Sequence, residues 1–447
     1  LTETNESSVR RGSGALAGLD ALLVAAGLVL LGLTPRNATG DGDIRYQQLQ
    51  ALTHGTFLHQ KYSLVEPLLA VPFAWIGRLV GHEQAVVYRF NVVVLGLGLL
   101  ALCLLLRKSD ALLVRPLCLL LVFGSMFAAH VNGFYGETVT AVGLAVGLLS
   151  IAVAERRLVR AAGWVLLIVA AVNSPAVVPA VALAVVLHTA RTRHYRYLLV
   201  LPVMVGLALV DARLHTGSFH SPYADDHGFQ TVLPYSGRPG FSYPALLGIG
   251  VLLVSFGKGL LFFAPGGFLS LKGRLAQLPR TRAVYPLWTA VTVGLVVVYC
   301  RWWAWYGGFF WGPRFFLFAS IPAALVLAVR LITPSRSVGG FAVTLGALLL
   351  TSWVAVCACI GPVGQQVCRA DGFAREDLCW YSPEYSVLWR PVAQWPDLTA
   401  AQQLYIGLAV VALLRLAVPF CLAARQTLTV GVPLWLQPVP EAVDLRV

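Results

Sequence analysis

Apolar runs close to membrane-crossing length recur along the whole chain, at 16–33, 88–106 and 285–300 among others. A helix needs about 20 such residues to cross a hydrocarbon core. Inside lipid the backbone must satisfy its own hydrogen bonds, which leaves only helices or a closed barrel. The runs here are continuous and rich in Leu, Ala, Val and Gly. A barrel would show segments of about ten alternating residues between turns, and it is rejected. Hydrophobic residues fill 58% of the 447 positions and charged residues 12%, against about 25% charged in soluble domains. The chain therefore reads as an all-α polytopic membrane protein.

About twelve crossings are expected, centred near 25, 97, 121, 146, 168, 182, 204, 258, 293, 323, 349 and 413. Arg10 and Arg11 precede the first run, but no convincing small-residue cleavage site follows, so it reads as a retained helix. Asn173, Ser174 and Pro175 form a breaker between two short helices, and Gly257, Lys258, Gly259 and Pro265 mark a broken one. With the N-terminus cytoplasmic, Arg107 and Lys108, Arg156, Arg157 and Arg160, Arg191, Arg193 and Arg196, Lys272, Arg274, Arg280 and Arg282, and Arg330 and Arg336 all fall on the inner side. The expected division is a tail at 1–15, a membrane domain at 16–424 and a second tail at 425–447. Long external segments then lie at 34–87, 213–243, 301–314 and 361–403, the first containing short amphipathic helices. The net charge of +13 is mostly this topology signal and calls for no nucleic acid.

Six of the eight cysteines lie in or beside apolar runs and read as small core residues. Cys368 and Cys379 share an external segment and are expected to form a disulfide in an oxidising compartment. No CxxC, HExxH or Cys/His zinc spacing occurs, nor a GxxxxGK[ST] loop, which argues against an ATP-driven pump. No internal repeat of fixed period is visible, which disfavours many transporter folds.

The chemistry-bearing segment is 40–73, GDGDIRYQQLQALTHGTFLHQKYSLVEPLLAVPF. Asp41 and Asp43 follow the first helix closely, flanked by Gly40 and Gly42, at the level where a lipid head group lies. A carboxylate there can act as general base on a hydroxyl within hydrogen-bond reach. The plainer reading is a solvated Asp-Gly turn. Two such carboxylates can also hold a divalent cation, Mg or Mn, through oxygen ligands, and the sequence leaves metal use open. Asn37-Ala38-Thr39 fits a glycosylation sequon, and the polar stretch 215–227, with Asp225 and Asp226, carries no motif.

The order of a first helix, an acidic pair, Arg45 and Tyr46, and then Lys61, Tyr62, Ser63, Glu66, Pro67, Leu68 and Leu69 resembles the first external loop of the GT-C superfamily of glycosyltransferases. Tyr88-Arg89 stands where that pattern opens its second helix. The stretch 132–137, NGFYGE, is similar to an aromatic-small-Glu signature of bacterial members. The stretch 301–314, RWWAWYGGFFWGPR, resembles their WxGGxxWGPR segment, and 257–260 their Gly-Lys-Gly-Leu element. The Asp-Gly-Asp sits one residue out of register with the Asp-Glu-x-x-Tyr form of some relatives, which leaves Asp41 and Asp43 both open as the base, Asp41 favoured.

The resemblance implies an inverting transferase that moves a sugar from a polyprenyl-phosphate carrier to a glycolipid or polysaccharide acceptor outside the cytoplasm of a bacterial inner membrane. An arginine-rich, Ala/Val/Leu-rich composition of the kind GC-rich coding produces suggests, by analogy, mannose or arabinofuranose. The departing phosphate needs cations. Candidates are Arg45, Lys61, Arg89, Lys258, Arg301 and Arg314, with Lys258 and Arg314 favoured. His130, Tyr135 and Glu137 are candidates for sugar contacts, as are Trp305 and Tyr306, although Trp302, Trp303, Trp305, Tyr306 and Trp311 also suit an interfacial belt. The alternatives are a transporter or flippase of a lipid-linked intermediate, and a glycan polymerase or ligase.

Overall fold

The computed structural model describes residues 3–35, 40–219, 230–238, 240–335, 337–362 and 366–429. The sequon at 37–39, Asp225, Asp226, Arg336 and the tail from 430 lie outside the described residues.

The chain forms helices almost throughout. The first, α1, runs Glu3–Leu33, so the expected N-terminal tail and first crossing share one helix. The polar segment that follows folds into α2 (Asp41–Thr53), α3 (Val65–Leu79) and α4 (Glu83–Val87). Next come α5 (Phe90–Leu106), α6 (Ala111–Phe123), the short α7 (Phe127–His130) and α8 (Gly136–Val153). The Asn-Ser-Pro breaker ends α9 (Arg157–Asn173), and α10 (Val178–Thr192) starts after a 3-10 turn at Pro175–Val177. Then α11 (Val200–Thr216) precedes the broken crossing, α12 (Ala245–Val254) and α13 (Leu260–Phe263), with Lys258 in the break. The last long elements are α14 (Pro279–Tyr299), α15 (Ser320–Ile332) and α16 (Val338–Ile360). Three short helices, α17 (Gln366–Phe373), α18 (Glu376–Tyr381) and α19 (Arg390–Ala393), lead to α20 (Ala400–Thr429).

Among the described residues, eight helices are long and apolar enough to cross a membrane, and three shorter apolar ones lie at 18–33, 111–123 and 245–254. The helices differ in what they face. The crossing 314–332, which contains α15, is 89% buried in protein and α8 78%, whereas the crossing 195–216 that ends in α11 is 17% buried and α20 22%. Lipid supplies no hydrophobic drive between helices, so close packing needs small residues. A Cβ on Gly163 of α9 would lie 2.7 Å from Ser150 and 3.0 Å from the carbonyl of Gly147, both on α8. Gly163→Leu would drive these helices apart.

Two faces result. On one, Lys108 and Arg280 both meet Glu155, at 3.5 and 3.3 Å, and Arg330 donates to the carbonyls of Ser270 and Gly340. The loops that carry Lys108, Arg280 and Arg330 thus share that face. The other face gathers the segments around α2, α3, 240–243, 301–314 and α17–α18. Cys368 and Cys379 are joined by a disulfide there, with Cα atoms 6.2 Å apart.

Candidate active site

The site is built where three chain segments turn at that second face. The first is the N-terminus of α2. Gly40 has φ +63°, and Gly42 lies so close to the 134–135 backbone that an added Cβ would meet the Phe134 carbonyl at 3.2 Å and the Tyr135 ring at 3.0 Å. This puts Asp41 against the second segment, the entry to α8, where Glu137 occupies the first turn. Asn91 of α5 fixes that entry by donating to the carbonyls of Gly133 (2.8 Å) and Tyr135 (3.1 Å), and Asn173 donates to Gly136 (2.8 Å).

The third segment is 307–314. Its glycines at 307, 308 and 312 have φ of +72°, +75° and +59°, a conformation costly for other residues. The loop ends in Arg314, whose guanidinium reaches Asp41 at 2.7 Å and Glu137 at 3.4 Å and lies 3.8 Å from the centre of the Phe310 ring. Three expected site residues therefore converge on one point. Burial pushes the Asp41 carboxyl upward, but the charge of Arg314, bonds from Tyr62 and Arg314, and the charge of Lys61 together hold it below its ordinary value of 3.8.

The rim follows from α2 and the loop before α3. Arg45 pairs with the fully buried Glu66 at 3.4 Å and lies 5.0 Å from the centre of the Tyr62 ring, with Lys61 5.5 Å from the same ring. Burial foremost, with Glu137 nearby, raises Glu66 to about 7 against the opposing pull of Arg45 and Asn91. The loop is latched to α11. The Leu64 amide donates to Asp211 (3.1 Å), the His215 Nδ1–H to the Gln60 carbonyl (2.7 Å), and His215 Nε2 lies 3.4 Å from Asp211.

Other expected residues sit elsewhere. Asp43 accepts a hydrogen bond from Gln47 at 2.9 Å and takes no part in the Arg314 pairing. Lys258, favoured from sequence as a phosphate contact, is fully buried and donates to the carbonyls of Gly308, Phe310 and Gly312 at 3.0, 2.7 and 2.8 Å. An ammonium has three donors, and all three are engaged. Each charge-assisted bond contributes roughly 1.5–3 kcal/mol, which offsets a desolvation penalty of several kcal/mol. Arg301 is exposed and caps the Phe241 carbonyl at 3.3 Å. Trp305 and Tyr306 are 1% and 5% exposed, and Tyr306 stacks on Trp380 at 5.0 Å, so both belong to a packed aromatic core and not to an open sugar platform. His130 is buried edge-on to Trp311, ring centres 6.5 Å apart, and burial, then the nearby Arg314 and Lys258 charges, lowers it to about 3. Tyr135 stands edge-on to Phe310 at 5.2 Å, beside the acidic pair.

A divalent cation held between Asp41 and Asp43 does not fit this arrangement. Asp41 already faces Arg314, Asp43 is turned to Gln47, and among the described residues no group of three or more His, Cys, Asp or Glu side chains converges. Sequence reading missed Asn91, the Asp211–His215 pair, and the part Asn173 plays beyond the breaker. Their signal was present: amides and ionisable groups inside or at the ends of apolar helices are costly unless engaged.

The whole is a many-crossing helical body whose first polar segment packs short helices and an acidic residue against one face. Two solved structures of ArnT from Cupriavidus metallidurans share it. The one bound to undecaprenyl phosphate matches with a TM-score of 0.53 and 14% identity over 93% of this chain and 80% of that one. The apo structure matches with a TM-score of 0.52 and 17% identity over 89% and 77%. At such identities the likeness speaks of the fold, and this chain has that fold. No protein-family model matches the sequence, and no curated protein matches it.

Proposed function

We propose that the chain is an inverting glycosyltransferase taking its sugar from a polyprenyl-phosphate donor. The observation that carries this reading is the Asp41–Arg314–Glu137 convergence at one face of a fold shared with ArnT. Solved ArnT bound to undecaprenyl phosphate supports a carrier lipid of that class. In this reading Asp41 is the general base. It takes the proton of the acceptor hydroxyl as that oxygen attacks the anomeric carbon from the face opposite the phosphate. The bond from that carbon to the phosphate oxygen breaks, and polyprenyl phosphate leaves as an anion. The depressed carboxylate is ionised at neutral pH and ready to accept the acceptor's proton, which it gives up to solvent before the next turnover.

Arg314 orients Asp41 and Glu137, and with Lys61 and Arg45 supplies the positive rim for the leaving phosphate. In this reading Glu137 and Tyr135 meet sugar hydroxyls. The basic loops on the opposite face argue, by the positive-inside rule, that the site faces away from the cytoplasm of a bacterial inner membrane. Mannose or arabinofuranose is the sugar, and a glycolipid or polysaccharide the acceptor. The experiment is incubation of purified protein with a panel of radiolabelled polyprenyl-phosphate sugars and acceptors. Transfer lost in Asp41→Asn supports the reading, and no transfer by the wild type from any donor overturns it.

A further inference from the structure

Lys258 lies in the break between α12 and α13, with no exposure to solvent, and its ammonium sits above the Trp380 ring, 4.7 Å from the centre. Its three bonds go to alternate carbonyls of one loop, those of residues 308, 310 and 312. Two of the three carbonyls it holds belong to glycines in left-handed backbone, Gly308 at φ +75° and Gly312 at φ +59°, so the cation gathers the loop where it turns most sharply. Two residues further on, the same loop delivers Arg314 to Asp41. The lysine is itself held from behind. The Gly257 amide donates to the Trp380 carbonyl at 3.1 Å, and an added Cβ on Gly257 would fall 2.0 Å from the Cys379 carbonyl.

From this geometry we infer that Lys258 is a positioning residue, an internal cation that winds the 307–314 loop so that Arg314 reaches Asp41. It touches neither carboxylate. Its effect on chemistry is transmitted through the loop backbone and rests on the glycosyltransferase reading only where turnover is concerned. The groups that face Asp41 are Arg314, Tyr62 and Lys61, with Glu137 sharing Arg314 and Tyr135 alongside. If the loop relaxes, Arg314 withdraws and Asp41 loses its strongest opposing charge.

The test uses the full chain in detergent or nanodiscs and needs no donor. Dicyclohexylcarbodiimide attacks protonated carboxyls, so the pH dependence of Asp41 labelling, read by peptide mass spectrometry, reports its protonation. In Lys258→Met the labelling midpoint is expected to rise by at least one pH unit, as it does in Arg314→Met, and the double variant is expected to shift no further. Lys258→Gln, which keeps two donors for the carbonyls, is expected to recover part of the shift. An unchanged midpoint in folded Lys258→Met overturns the inference, and so does failure of both variants to fold, which would make the lysine a fold requirement alone. With a working donor, kcat is expected to fall on the order of 10²-fold while KM for the donor moves little, the mark of misplaced groups. A wild type that transfers nothing removes the glycosyltransferase reading and leaves the labelling result to decide the lysine's role.

Discussion

Arg314 closes an ion pair of 2.7 Å on Asp41, joining the two most separated pieces of the site, the segment after the first helix and the entry to the α15 crossing. The same guanidinium reaches Glu137 at 3.4 Å. One cation thus orders two carboxylates on two different helices, and this division of labour sets the expected behaviour of variants.

Asp41→Asn is expected to lower kcat by roughly 10²–10⁴-fold, the range for loss of a positioned base. Asp43→Asn, which removes a charge but keeps an oxygen able to accept the bond from Gln47, is expected to stay within about threefold of wild type, since surface polar changes are small. Transfer assays on both, at matched expression and membrane insertion, check this. Equal loss in both variants would return the base to the undecided pair.

The acid limb of kcat/KM should lie below the ordinary aspartate value of 3.8, because Asp41 is held in its ionised form. A base works deprotonated, so activity falls only as pH drops through that lowered value. Arg314→Met removes the chief opposing charge and should move the limb upward, toward the pH set by burial. The same linkage means that the ion pair stabilises the fold above the unfolded aspartate value and is lost as pH falls through the folded one. pH–rate profiles of wild type and Arg314→Met measure the shift.

Glu66 carries the opposite sign. Its folded value of about 7 exceeds the ordinary 4.5, so its protonated form is the one the fold favours. That contribution is full below about pH 4.5 and is lost as pH rises through 7. Thermal unfolding in a stable detergent should therefore show a midpoint that declines across this window. Glu66→Gln should flatten the decline, and an unchanged slope would show that Arg45 keeps the carboxylate ionised.

The Cys368–Cys379 bridge closes a loop with a sequence separation of 11 residues. Chain-entropy reasoning gives such a loop about 3 kcal/mol. Cys368→Ser with Cys379→Ser, or reduction of the wild type, should lower the melting temperature and expose α17–α18 to protease. Mass mapping without reductant tests the bridge directly, and two free thiols would remove it.

Much of this fold was legible because lipid permits so few backbone solutions. Every expected crossing centre falls in or beside a helix, and the broken crossing is interrupted between Val254 and Leu260, where Gly257, Lys258 and Gly259 stood in the sequence. Asp41, Glu137 and Arg314 were visible as motif residues, yet nothing in their spacing said that they meet. Lys258 misled for a physical reason: a lysine beside glycines suits an open anion site and a buried carbonyl cage equally, and only the surrounding backbone separates the two. Trp305 and Tyr306 misled similarly, since aromatics serve ligand stacking and core packing alike. The Asp211–His215 latch was hidden because its partners are main-chain groups of residues 60 and 64.

That latch ties a rim carrying Lys61 and Tyr62 to a helix whose crossing is little packed against the rest of the protein, 17% of its apolar window being buried. Any tilt that bilayer thickness imposes on α11 is thereby passed to the edge of the reaction centre. Turnover should then vary with acyl-chain length in reconstituted membranes, and Asp211→Asn should blunt that dependence. The surrounding membrane, on this view, is a mechanical input to the chemistry as well as its container.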